Sequence, residues 1–231
     1  MPGPGFMNGD SLPPMAGFVE EMNAALWQVL AVRDVALSRF GESVKRADMA
    51  LLLQGALRNE MEAAEIAARW MPGTPEIEAK IAFAQQSGDE AKHYGLIHRR
   101  LRELGVDLAG FSPYADGHTK LFHYLEGLET TVERIAAAQF TREAVGYKYN
   151  QLFIAFCEAC GDAATADMYK FGIQPDEMRH HEWGKQLLGT FAVSPAQREA
   201  ANRAMLTVLD LAEEGRSLAA GRLLVEALPG C

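Results

Sequence analysis

Apolar residues recur at helical spacing along most of the chain. Phe18, Met22, Leu26, Leu30 and Val35 stand four or five residues apart, which predicts a first helix over about 16–40, broken by Gly41. A second helix, rich in Ala, Leu, Met and Glu, is expected over about 43–71, where Pro72-Gly73-Thr74-Pro75 stops it. Thr74 then reads as the N-cap, and Pro75 as the first residue, of a third helix reaching about 104. Residues 105–117 interrupt the pattern. A fourth helix is expected over 118–160 and a fifth over 162–188, with Pro175 kinking the latter. Ser194-Pro195 opens a sixth that ends near 228. No stretch alternates at period two as a strand would. The expected fold class is all-α.

The interruption fixes the topology. Thirteen extended residues reach at most about 43–47 Å, enough to run along a helical bundle from one end to the other. The expected architecture is a four-helix bundle with one long crossover, its core at about 43–190, with flanking N- and C-terminal helices. All of it falls in one domain, 1–231. The flanking helices exceed what a bundle needs and suit a lid, a substrate wall or a homodimer interface.

Composition narrows the function. The net charge of −9 disfavours nucleic acid or an anionic membrane as the main partner. The chain has 3 cysteines, too few and too odd a number for a disulfide framework. Cys157 and Cys160 form a lone C-x-x-C inside a helical run and read as buried thiols on a helix face. The Pro/Gly-rich start has neither the basic stretch nor the apolar run of a signal peptide. No apolar run is long enough to span a bilayer. A cytoplasmic location is expected.

One pattern is written twice. Asp-Glu-Ala-Lys-His occupies 89–93 and Asp-Glu-Met-Arg-His occupies 176–180. Shuffling this composition would give Asp-Glu-x-x-His about 0.02 times. Residues i and i+3 share a helix face, so Glu90 projects beside His93, and Glu177 beside His180. A carboxylate beside an imidazole is a metal half-site, and two on facing helices make a two-metal centre.

Such a centre needs one carboxylate from each remaining helix, and height along the bundle selects among the candidates. Glu177 lies 15 residues past Asp162 and Glu143 lies 17 before Cys160, a mismatch of about 3 Å at the helical rise. Glu133 misses by about 18 Å. On the second helix, Glu60 matches Glu90 better than Glu62 or Glu65. Its face carries Leu53, Ala56, Leu57, Ala63, Ala64 and Ala67, whereas Glu62 shares its face with Arg58 and Arg69 and reads as solvent-facing. The ligand set read from the sequence is Glu60, Glu90, His93, Glu143, Glu177 and His180.

Four carboxylates and two histidines on four helices resemble the ferritin-like di-iron carboxylate superfamily, over roughly residues 43–190. The spacings Glu60 to Glu90 and Glu143 to Glu177 are similar to those of its oxidases and oxygenases. The resemblance implies two iron ions, with manganese admissible in one position. It implies that Asp89 holds His180 and Asp176 holds His93, each carboxylate fixing an imidazole. Glu60 and Glu143 would be terminal ligands, and Glu90 and Glu177 bridging ones. A second Glu-x-x-His is atypical of storage ferritins. No rubredoxin module with paired C-x-x-C is present. Ile97 stands where ribonucleotide reductase small subunits carry a tyrosine, and Tyr147 where soluble monooxygenases carry threonine. What remains resembles a stand-alone oxidase or oxygenase. It would use dioxygen, a small organic substrate and a separate ferredoxin or reductase as electron donor. Ferroxidase activity or iron handling without an organic substrate is the alternative. Tyr94, Tyr147, Tyr149 and Trp183 read as electron relays or as packing. Gly88, Gly95, Gly146 and Gly184 leave room for a small molecule or mark close helix contacts.

Overall fold

Good helix formers, Ala, Leu, Glu and Arg among them, fill the stretches between the Pro/Gly-rich breaks, and the backbone follows that preference. The computed structural model describes residues 15–37 and 46–223. Its helices are α1 (Met15–Leu37), α2 (Arg46–Gly73), α3 (Ile77–Glu103), α4 (Lys120–Glu126), α5 (131–159), α6 (163–191) and α7 (Pro195–Leu223). No strand occurs among the described residues. The expected break at Gly41, the start at Ser43 and the end near Leu228 lie outside them.

Three local expectations need correction. Glu76, not Thr74, holds the N-cap position of α3, without a side-chain capping bond. The Thr74 hydroxyl instead donates to Trp70 O at 2.9 Å, closing the end of α2. The helix expected over 118–160 is two helices, because Gly127 ends α4 and Thr130 starts α5 afresh. Thr130 Oγ1 accepts from Glu133 N, and Glu133 Oε2 accepts from Thr130 N, a reciprocal capping box. Cys160 terminates α5 and is exposed, so of this pair Cys157 alone is buried, its pKa raised by burial.

Two helices are not α-helical throughout. Ala136–Arg142 in α5 and Met168–Ile173 in α6 are π-helical. Glu143 N reaches back to Ala138 O, and Gln174 N to Tyr169 O, five residues in each case. Thr141 Oγ1 takes up one loosened carbonyl, donating to Ala136 O at 2.6 Å, and Gln174 Nε2, at the end of the second segment, donates across to Tyr147 O of α5 at 3.0 Å. The second segment ends directly ahead of Pro175, so the missing proline N–H falls at the start of the following α-helical run.

Helix directions follow from two apolar clusters. One gathers Ile66, Trp70, Phe83, Val132, Ile135 and Leu188. The other gathers Leu53, Leu57, Ile97, Leu101, Phe153 and Tyr169. Along α2 and α6 the chain passes from the second cluster to the first. Along α3 and α5 it passes from the first to the second. Helices α3 and α5 therefore run the same way, and the segment between Glu103 and Lys120 must return along the length of the helices. Leu104, Val106, Leu108 and Phe111 pack on the cluster where α3 ends, and Phe122 and Leu125 on the one where α5 begins. Each of the four helices crosses a polar layer between the two clusters.

Candidate metal centre

That layer holds Glu60, Glu90, His93, Glu143, Glu177 and His180, all buried. Each helix delivers them where its apolar stripe changes cluster. On α3, Glu90 and His93 lie between Phe83 and Ile97 on the inward face. Donor atoms of Glu60, Glu90, His93 and Glu177 lie within 4.8 Å of one another, as do those of Glu90, Glu143 and His180. Glu90 belongs to both groups. His93 Nδ1 is 3.3 Å from Glu90 Oε2, 3.4 Å from Glu60 Oε2 and 3.6 Å from Glu177 Oε1. His180 Nδ1 is 3.0 Å from Glu143 Oε2 and 3.4 Å from Glu90 Oε1. The structure thus brings all six sequence-derived residues to one locus.

The far nitrogens are held crosswise. His93 Nε2 stands 3.2 Å from Asp176 Oδ2, and His180 Nε2 stands 3.1 Å from Asp89 Oδ2. Each aspartate accepts the Nε2–H, which leaves Nδ1 facing the layer, the nitrogen that would carry the lone pair once its proton is displaced. Both aspartates have cationic partners on the outer side. Arg179 spans them, 2.7 Å from Asp89 and 2.5 Å from Asp176, and Lys92 bonds to Asp176. Asp89 is held well below the usual carboxylate range, first by the His180 hydrogen bond and then by Arg179 against the opposing effect of burial.

Four buried carboxylates repel one another, and their proton affinities show it. Burial, then repulsion from Glu143, Glu90 and Glu60, pushes Glu177 well above its ordinary value. Burial raises Glu60 to about 8, and burial with Glu90 repulsion raises Glu143. Glu90 goes the other way, because the approach of His180 and His93 outweighs its burial. Burial disfavours both imidazolium ions, yet Glu60 and Glu90 lift His93 to about 12, while Asp89, Glu143 and Glu90 lift His180 to about 12. Without a cation, protons neutralise the layer. Glu90 Oε1 is buried and accepts no well-formed hydrogen bond. Hard oxygen donors, two inward imidazole nitrogens and a shared carboxylate fit divalent transition-metal ions.

One family model, described as a protein of unknown function (DUF455), matches residues 24–215. The chain belongs to that family. No curated protein and no solved structure matches it. The DUF455 match spans both Asp-Glu-x-x-His motifs, Glu60 and Glu143.

Two polar residues escaped the sequence reading. Gln86, one turn before Glu90 on the same face, donates from Nε2 to Glu143 Oε1 at 2.6 Å. Its i−4 spacing from Glu90 was the available signal. Glu62, expected to face solvent, is buried. It accepts from Thr119 N at 2.8 Å and Thr119 Oγ1 at 2.6 Å, and lies 3.3 Å from His118 Nδ1. The crossover folds over it, which no periodicity on α2 reveals. The Trp183 ring lies 5.6 Å from that of His180, Tyr94 stacks on His98, Tyr147 meets Trp27 edge-on, and the Tyr149 hydroxyl donates to Glu213. A Cβ on Gly184 would fall 2.6 Å from Phe140 N, so this glycine is a close helix contact, whereas Gly88 and Gly95 meet nothing within 4 Å.

Proposed function

We propose that the layer holds two iron ions and that the protein is a ferritin-like di-iron oxidase or oxygenase acting on a small organic substrate. The observation that carries this reading is the sharing of Glu90 between two donor groups, each with its own histidine held by the aspartate that opens the opposite motif. Helices α3 and α5 running the same way across a long connection support a ferritin-like bundle. Paired irons bound there would supply one-electron redox chemistry toward dioxygen. The protein's own part is to keep the site dry, to hold each imidazole in one tautomer and to place Glu90 between the two positions. Glu60 and Glu177 would hold one ion with His93, and Glu143 would hold the other with His180. Electrons would come from a separate ferredoxin or reductase.

Anaerobic titration with ferrous iron followed by exposure to dioxygen tests the reading. Binding that stops at about two irons per chain, with a chromophore whose decay responds to added organic substrates, is the expected result. Continued uptake of many irons into a mineral would decide for iron handling instead.

A further inference from the structure

A cavity lies outside the metal layer. It occupies about 750 Å³ between α2, the crossover, α4, α5 and α7, and none of the six donor residues lines it. Binding sites for small organic molecules typically occupy about 300–1,000 Å³. The walls are largely apolar: Leu52, Ala56, Phe122, Leu125, Val145 and Leu211. Leu51, 48% exposed, stands at its edge.

The polar groups on the wall are mostly spoken for. Lys120 pairs with Glu214, and Arg216 with Glu213. Glu62 is saturated by Thr119 and faces His118. Arg142 donates to Asn59 O at 2.7 Å. Asp116 is exposed on the crossover. Arg58 is different. It lines the cavity with no ion-pair partner among the described residues; its Nε is buried, and its terminal guanidinium nitrogens are the accessible, unpaired donors. A guanidinium always carries charge, and a desolvated N–H without an acceptor is costly. Two helix-interior glycines, Gly55 on α2 and Gly215 on α7, also line the cavity. A Cβ at either meets nothing within 4 Å, so protein packing does not require glycine there.

We propose that this cavity binds an amphiphile with a single anionic head and an apolar body, the head on Arg58 and the body along the leucine and phenylalanine wall. The site shares no lining residue with the six donors of the metal layer. Arg58 supplies a charge-assisted donor where an acceptor is missing, and the apolar walls supply the driving force for the tail. The space beside Gly55 and Gly215 is the room the body occupies.

The test uses the full chain, with dodecanoate and uncharged dodecanol titrated below their aggregation concentrations and followed by calorimetry. Wild type is expected to bind dodecanoate saturably and more tightly than dodecanol. Arg58→Met, which keeps most of the side-chain length, should weaken dodecanoate by about tenfold or more while leaving dodecanol unchanged. Gly55→Leu should abolish binding of both, with melting temperature and metal content preserved. Gly215→Leu fills the cavity from the opposite wall and replaces it if the first variant does not fold. The proposal is overturned if dodecanoate does not saturate wild type, if it binds Arg58→Met equally well, or if both glycine variants bind like wild type. Metal content measured on the same samples keeps this outcome separate from that of the iron reading.

Discussion

The two halves of the metal layer carry the same donors on differently built helices. Glu60, Glu90 and His93 stand on α2 and α3, which are α-helical throughout and joined by a short turn. Glu143, Glu177 and His180 stand on α5 and α6, each with a π-helical segment just ahead of its donors. One extra residue in a turn rotates everything after it by about 100°. The second half therefore reaches the same layer by a local change of period. It is also the tightly packed half, with Gly184 against the Phe140 backbone and His181 Nδ1 donating to Phe140 O at 2.6 Å. One pattern of chemistry thus sits on one tolerant support and one intolerant support.

The largest expected effect tests whether the halves are separable. Glu90→Ala removes the shared carboxylate and should leave almost no iron after dialysis, measured by mass spectrometry of the metal. Glu60→Ala and Glu143→Ala should each retain about one iron per chain, in opposite halves. Equal loss in all three variants would mean that the halves bind only as a unit. His93→Ala and His180→Ala should lose metal with unchanged far-ultraviolet dichroism, since neighbouring apolar contacts hold the helices.

Next come the outer carboxylates. Asp176→Asn should loosen His93 and Asp89→Asn should loosen His180, each lowering metal affinity by about 10–100-fold. Competition with a chelator reads this directly. Unchanged affinity in both variants would remove the aspartates from the assembly.

Packing gives a smaller effect. Gly184→Ala drives a methyl into the Phe140 backbone and should cost about 1–3 kcal/mol. Gly88→Ala, in open space before the first motif, should stabilise by up to about 1 kcal/mol. Thermal melts of the pair should move in opposite directions, and a shift of the same sign would contradict the contrast.

The smallest effect concerns pH in the metal-free protein. Glu60, Glu143, Glu177, His93 and His180 all have folded pKa values above their unfolded ones. Their contribution is present below the unfolded values and fades as pH rises toward the folded ones. Asp89, Asp176 and Glu90 are lowered and act in the opposite sense, but only at acid pH. The metal-free melting temperature should therefore fall between about pH 5 and pH 8. With metal bound those protons are displaced, so the same scan should flatten or reverse. A metal-free protein that becomes more stable over this window would contradict the assignment.

The i, i+3 spacing of Glu90/His93 and Glu177/His180, and the height match that selects Glu60 and Glu143, were legible because they rest on helical rise alone. The long connection was legible from its Gly/Pro content. The π segments were not, since nothing in Ala136–Arg142 departs from ordinary helical composition. They are supported by contacts from other elements, such as His181 on Phe140. The break between α4 and α5 was written as Thr130-x-x-Glu133, but the apolar periodicity on either side obscured it. Glu62 was misread because its partners, His118 and Thr119, approach from a segment distant in sequence.

That clamp divides the crossover into parts with different freedom to change. Its far end is fastened at Thr119, while Gly105, Gly110 and Gly117 take positive φ values of 81°, 75° and 78° that favour glycine. Lengthening a loop is cheap, at about 0.6 kcal/mol for each doubling. Insertions beside the exposed Ala115 and Asp116 should thus be tolerated, whereas insertions at Leu108 or Phe111, which pack on the core, and replacement of Thr119 or Glu62 should not. The same stretch lines the cavity outside the metal layer, so a fluorophore grafted there would sit at its wall and report on its occupancy while leaving the four donor helices untouched.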